Sequence, residues 1–164
     1  MKKILLFIAV ATLTIGISQS QEMKLGVSAS LPVGDASDGY TFGAQLDFAY
    51  LFEINDAFQV GPMVSLLYYN GDKIDVGPLG SYKIDDALFL PVGAEARFLL
   101  DEFFFGADLG YGIGLSPSKN EGGFFYRPKA GYDFGSIAAV LSYCGVAVDG
   151  GTFGSVNAGV EFSF

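Results

Sequence analysis

The chain has 164 residues, enough for one domain, with 51% hydrophobic residues against 16% charged ones and a formal net charge of −9. That acidic balance excludes nucleic acid and anionic membrane surfaces as electrostatic partners, and a single cysteine, Cys144, excludes an internal disulfide. There is no histidine, so a hydrolytic Ser-His pair cannot be assembled.

The N-terminus reads as an export signal. Lys2 and Lys3 come first, Ile4 to Ile17 is an apolar run of 14 residues, and Ser18 and Ser20 are small residues at the spacing a signal peptidase uses. A membrane helix needs about 20 apolar residues, so this run is too short to be an anchor. The expectation is a cleaved signal over residues 1–20, with cleavage after Ser18 as the alternative. No cysteine follows either site, which argues against lipid attachment. Loss of Lys2 and Lys3 takes the formal charge from −9 to −11.

From Met23 onward the chain falls into eight segments of 10 to 14 residues in which apolar residues alternate with small or polar ones. They run from Met23 to Val33, Tyr40 to Phe52, Phe58 to Tyr69, Ala87 to Leu100, Phe103 to Leu115, Phe124 to Asp133, Ser136 to Val148 and Thr152 to Phe164. Strands of soluble sheets are usually about 5 or 6 residues long, whereas a tilted strand crosses a bilayer in about 9 to 11. The 23 glycines and 25 aromatics (16 Phe, 9 Tyr) favour strands and turns over helices. Connectors after even-numbered segments are tight: EIND at 53–56, DE at 101–102, and Phe134 with Gly135. Those after odd-numbered segments are mostly longer, the longest being the 17 residues from Asn70 to Asp86. Short turns at one end and longer loops at the other describe an up-and-down barrel with both termini on the short-turn side.

The two faces of each segment fix its orientation. In the second, Tyr40, Phe42, Ala44, Leu46, Phe48, Tyr50 and Phe52 oppose Thr41, Gly43, Gln45, Asp47, Ala49 and Leu51. In the fifth, Phe105, Ala107, Leu109, Tyr111, Ile113 and Leu115 oppose Gly106, Asp108, Gly110, Gly112 and Gly114. The bulky set is too large for the interior of an eight-stranded barrel, and the glycine-rich set is too poor in charge for a soluble exterior. The expected fold is therefore all-β: an eight-stranded antiparallel up-and-down transmembrane β-barrel, with large apolar residues toward lipid and glycine, serine and a few charges inside.

On that orientation the lumen holds Lys24, Arg97, Arg127 and Lys129 against Asp47, Glu95, Asp108 and Glu161. Buried charges persist only when paired and hydrogen-bonded, so these eight are expected to form one network that plugs the barrel. Other acidic residues lie almost wholly in turns and loops. In the closing stretch SVNAGVEFSF the outward set is Val156, Ala158, Val160, Phe162 and Phe164. The final aromatics are expected in a belt at the short-turn end with Phe52, Phe58, Phe98, Phe103, Tyr132 and Phe134.

With FFYRPKAGYDFG (Phe124 to Gly135) and GTFGSVNAGVEFSF, the chain resembles the small eight-stranded outer-membrane barrels, the OmpA-like and OmpX-like family in its Bacteroidota form. Its ending is similar to the family's C-terminal assembly signal, here Val160, Phe162 and Phe164. The resemblance implies location in the bacterial outer membrane, insertion by the outer-membrane assembly machinery and contact with outer-membrane lipid. It does not imply an activity, because one fold carries many functions.

Other motifs carry no chemistry. The glycines of GYGIG (Gly110 to Gly114) share one strand face and no helix follows to receive a phosphate. The acidic pairs Asp35/Asp38, Asp72/Asp75 and Asp85/Asp86 lack the spacing of a calcium loop. No metal, cofactor or catalytic residue is expected. Pro32, Pro62, Pro91 and Pro128 fall inside proposed strands, where each removes a ladder hydrogen bond. The reading that results is a monomeric, non-enzymatic barrel with a plugged polar lumen and a structural or interaction role. The alternatives are a porin-like channel for small solutes and a secreted, lipocalin-like lipid carrier.

Overall fold

Alternation at period two makes each segment a strand whose two faces meet different surroundings. The computed structural model describes residues 21–75, 81–118 and 120–164, so the export-signal reading of residues 1–20 lies outside the described residues. The strands are β1 (Gln21–Val33), β2 (Tyr40–Asn55), β3 (Phe58–Gly71), β4 (Lys73–Asp75), β5 (Ser81–Lys83), β6 (Ala87–Leu100), β7 (Phe103–Ser116), β8 (Gly123–Asp133), β9 (Ile137–Val148) and β10 (Gly151–Ser163). All but the short β4 and β5 form one closed antiparallel barrel in the order β1-β10-β9-β8-β7-β6-β3-β2. Each expected segment coincides with a barrel strand. The largest difference is at the end of β2, which runs on to Asn55 through a register shift.

Closure joins the first strand to the last. β1 and β10 pair from Lys24↔Ser163 to Val33↔Gly154. The seam continues as the Met23 N–H donates to the Phe164 carbonyl at 3.2 Å and the Phe164 N–H to that of Met23 at 3.0 Å. Val160, Phe162 and Phe164 occupy one face of this seam. The aromatics at the short-turn end pack as a belt, with ring centroids 4.9 Å apart for Phe103 and Tyr132 and 4.8 Å for Tyr132 and Phe134.

The barrel is apolar outside and polar inside. Leu109 and Leu141 are 54% and 64% exposed, whereas Arg97 and Asp108 are 1% and 0% exposed. A soluble carrier would show the reverse. A strand of about 12 residues, tilted by about 45°, rises about 28 Å and so spans a hydrocarbon core. One expectation about the interior needs correction: it is not filled by glycine, serine and charges alone. Leu67, Tyr69, Phe89, Phe125 and Val146 are buried there as an apolar cluster, and Phe104 is also buried. The charges supply only part of the volume that eight strands enclose, and close packing requires the rest to be filled.

The four strand prolines follow a single rule. Each keeps its ladder to one neighbour and sits where the ladder to the other is broken. Pro62 pairs with Ala94 of β6, while the β2–β3 register skips from Ala49↔Met63 to Phe52↔Val60. Pro91 pairs with Gly112 of β7, while β3–β6 skips from Val64↔Val92 to Leu67↔Phe89. Pro128 pairs with Ala107 of β7, with β8–β9 interrupted between Tyr126↔Gly145 and Lys129↔Ser142. Pro32 pairs with Ser155 of β10 beyond the last β1–β2 pair, Ser30↔Gly43. The missing N–H always points toward the interrupted side.

The loop end has structure of its own. Gly34–Asp38 form a 3-10 helix, and the connector from Asn70 to Asp86 contains the hairpin β4–β5. Asp86 ties that hairpin to the barrel: it accepts the Gly71 N–H at 3.1 Å and the Tyr68 hydroxyl at 2.9 Å, with Lys83 Nζ at 3.2 Å. The Gly71 N–H, then the Tyr68 hydroxyl and Lys83, hold the Asp86 carboxyl below the usual carboxylate range. A carboxyl lowered by folding stabilises above its unfolded value, about 3.9, and that contribution fades as pH falls through the folded value. The protection factor of the Gly71 amide is therefore expected to fall below about pH 4 in the wild type and to stay flat in Asp86→Asn; equal profiles would remove this role from Asp86.

The seam makes a second prediction. In a Cys144→Ser background, Val27→Cys and Val160→Cys replace directly opposed residues, whose Cα separation of about 4.5–5.5 Å suits a disulfide. Oxidation of the refolded protein should give a boiled, non-reduced chain that migrates as a closed loop. An unshifted chain would mean that β1 and β10 are not neighbours.

Candidate functional site

The lumenal side chains come from strand positions dictated by the alternation. Glu95, Asp108 and Arg127 stand directly opposite one another on β6, β7 and β8. Arg97 and Lys129 both flank Gly106, and Gly26 lies between Asp47 and Glu161. These two glycines make room for the charges. A Cβ on Gly106 would come within 3.1 Å of the Lys129 stem, and one on Gly26 within 3.3 Å of Asp47.

Seven of the eight expected residues are joined in one chain of contacts. Arg97 donates two hydrogen bonds to Glu161, at 2.7 and 2.9 Å, and two to Glu95 Oε1, at 2.6 and 3.0 Å. Lys129 Nζ lies 2.6 Å from Glu95 Oε2 and 3.3 Å from Asp108 Oδ1. Arg127 donates to Asp108 Oδ2 from Nε at 2.6 Å and also contacts it through Nη2, while its Nη1 reaches Asp47. Planar guanidinium groups suit such forked contacts with carboxylates.

Lys24 is the exception. It pairs with Glu22 at 2.9 Å and donates to Ser163 Oγ at 2.8 Å, toward the short-turn end. The reading of four cations against four carboxylates in one network is therefore corrected to three against four. The excess negative charge is spread by neutral donors on Asp47: Gln45 Nε2 at 2.8 and 2.9 Å and Ser65 Oγ at 2.5 Å.

Sequence reasoning missed several members. Glu22 shares a face with Lys24 at a spacing of two, but it lies before Met23, where the regular alternation starts. Phe104 shares a face with Gly106 and Asp108, and the Arg97 guanidinium lies 4.1 Å from its ring centroid. Gln45 and Ser65 carry no charge to mark them. Beside Asp47, Arg127, Lys129 and Glu161 the remaining space is about 10 Å³, about one water's worth. The glycines of GYGIG lie in β7, and among the described residues no group of three or more acidic, cysteine or histidine side chains is placed to hold a metal ion.

The network makes a prediction for stability. Arg97→Ala leaves Glu161 and Glu95 without their shared cation, and breaking a buried pair in this way costs about 3–5 kcal/mol. Urea unfolding in lipid vesicles should show that loss, with part of it recovered on adding Glu161→Gln. A change within about 0.5 kcal/mol would mean that the pairs contribute nothing to the fold.

No family model matches the chain, and no curated protein matches it. Solved structures do. The crystal structure of Ail, the attachment invasion locus protein of Yersinia pestis, aligns with a TM-score of 0.57 at 16% identity, covering 90% of this chain and 100% of that one. Ail in a phospholipid bilayer nanodisc aligns with a TM-score of 0.56 at 18% identity over the same shares. A de novo designed transmembrane β-barrel aligns with a TM-score of 0.52 at 9% identity, covering 87% of this chain and 95% of that one. At these identities the likeness is one of architecture: the chain has the fold of the small eight-stranded outer-membrane β-barrels.

Proposed function

We propose that this protein is a non-enzymatic integral protein of the bacterial outer membrane, with a lumen plugged by its ion-pair network and a structural or interaction role at the cell envelope. The observation that carries this reading is the reversed polarity: an apolar exterior encloses seven charged side chains joined by direct contacts. Lipid is the medium that accepts such an exterior. The barrel sits there as a monomer in contact with outer-membrane lipid, delivered by an N-terminal export signal and inserted by the assembly machinery. Val160, Phe162 and Phe164 on the closing strand form the element that this machinery reads. The proposal contains no catalysis: without a histidine the chain cannot build the Ser-His pair that barrel hydrolases use.

Two measurements on protein refolded into detergent and then into planar bilayers test it. The unboiled protein should migrate faster than the boiled one and resist protease, and the inserted barrel should give no steady single-channel conductance. A protein that stays soluble without detergent would end the membrane reading. Steady conductance from the wild type would replace the plug with a channel.

A further inference from the structure

At the short-turn end the barrel opens into a cavity of about 320 Å³, at the lower edge of the range of small-molecule sites. Its wall is an arc across the neighbouring strands β2, β3, β6, β7 and β8. One end of the arc is Gln59, directly opposite Glu53 in the β2–β3 ladder. The middle is apolar, with Leu99 directly opposite Phe104. The other end is Glu102 beside Asp133, whose N–H donates to the Glu102 carbonyl at 2.7 Å.

Gln59 is 2% exposed and its Nε2 donates to Glu22 at 3.0 Å, but its Oε1 has no hydrogen-bond partner among the described residues. A buried amide oxygen left in this state costs about 1–3 kcal/mol, and the group that satisfies it must donate. Its surroundings set the charge of that donor. Glu53, Asp101, Glu102 and Asp133 all line the cavity, and among the described residues none of them has an ion-pair partner. The basic residues that line it are Lys24 and Arg97, and both are committed: Lys24 to Glu22 and Ser163, Arg97 to Glu95 and Glu161. Lys73 and Lys83, and the β7–β8 connector that carries Lys119, belong to the loop end. Lys2 and Lys3 precede the expected cleavage site, and cleavage there leaves one α-ammonium against four carboxylates.

The spacing narrows the choice of cation. The carboxylates are spread along the arc, and among the described residues no three of them converge as a metal ion requires. A protein surface needs about 1,000 Å² or more, which a cavity this small does not offer. We propose that the short-turn mouth binds a linear aliphatic polyamine, with one ammonium on Gln59 Oε1 and Glu53, its methylene chain over Leu99 and Phe104, and a second ammonium at Glu102 and Asp133. An ammonium has three donors and no acceptor, which suits a seat made of oxygens. Its alkyl stem suits the apolar middle of the arc. The inference rests on the export reading only in that Lys2 and Lys3 are absent from the mature chain.

Spermidine is the probe. Calorimetric titration into protein purified from the outer membranes of expressing cells, and placed in phosphatidylcholine nanodiscs, should give saturable binding over empty nanodiscs. Butylamine, with a single ammonium, should bind at least tenfold more weakly, and equimolar Mg²⁺ should not displace spermidine. Glu53→Gln and Asp133→Asn should each weaken spermidine severalfold, as should Gln59→Met, which keeps the length of the side chain but removes the amide oxygen. Glu121→Gln with Asp149→Asn removes two carboxylates from the loop end and should leave the affinity unchanged; an equal loss there would reduce the effect to net charge and overturn the proposal. Displacement by equimolar Mg²⁺, equal binding of butylamine, or binding no greater than to empty nanodiscs would also overturn it. Trilysine binding more tightly than spermidine would assign the mouth to a basic peptide instead. Heat modifiability checks that each variant is still a barrel, and intact mass shows whether residues 1–20 have left, so a failed export reading is told apart from failed binding.

Discussion

In a hydrocarbon medium every backbone N–H and C=O must find a partner within the protein, because each one left unpaired costs several kcal/mol. The rest of the structure follows from that constraint. It requires a closed sheet, so β1 must meet β10, and the seam from Lys24↔Ser163 to Val33↔Gly154 has to be complete. It also explains where proline is tolerated. Pro62, Pro91 and Pro128 each keep one ladder and interrupt the other, so that the cost is confined to one side of one strand.

Closure creates an interior, and alternation alone does not set its register. A slip of two residues between neighbouring strands returns every side chain to its original face; only an odd slip turns the barrel inside out. The ion pairs discriminate between the even registers. Glu95, Asp108 and Arg127 oppose one another directly, and a shift of β7 by two residues would bring Gly106 or Gly110 to the place of Asp108. Arg127 and Lys129 would then lose their shared carboxylate. Replacing a buried ion pair by apolar side chains is often neutral in stability, so its contribution here is to single out one register among several.

The barrel strands were legible because period-two alternation and turn chemistry are local signals, and both persist in the full fold. The identity of the lumenal residues was legible for the same reason. What could not be read was pairing across the lumen. Lys24 shares a face class with Arg97 and Lys129, but its depth along the axis puts it beside Glu22 and Ser163, and depth depends on strand stagger. The interior aromatics do not stand out in the sequence because the composition of each inward face is dominated by small and polar residues. Phe89, Phe104 and Phe125 are isolated bulky residues on otherwise small or polar faces, and the volume they fill becomes apparent only when eight strands are assembled. The hairpin β4–β5 was missed because three-residue strands have no measurable period.

The lumen is asymmetric along its axis, and that asymmetry determines what each end can do. From the loop side a solute first meets carboxylates at Glu121 and Asp149, then the rings around Phe153, then the apolar layer of Phe125 and Val146. Only beyond these does it reach Arg127 and Asp108. An ion would have to shed water against the aromatic layer before any lumenal charge could compensate it, and that charge is already paired. The apolar layer and the ion-pair network follow one another along the axis, each presenting a different environment to whatever enters from the loop end. The acidic rim and the buried network thus have different consequences from the same residue types, because one set of carboxylates remains in water and the other is given its cations within the barrel.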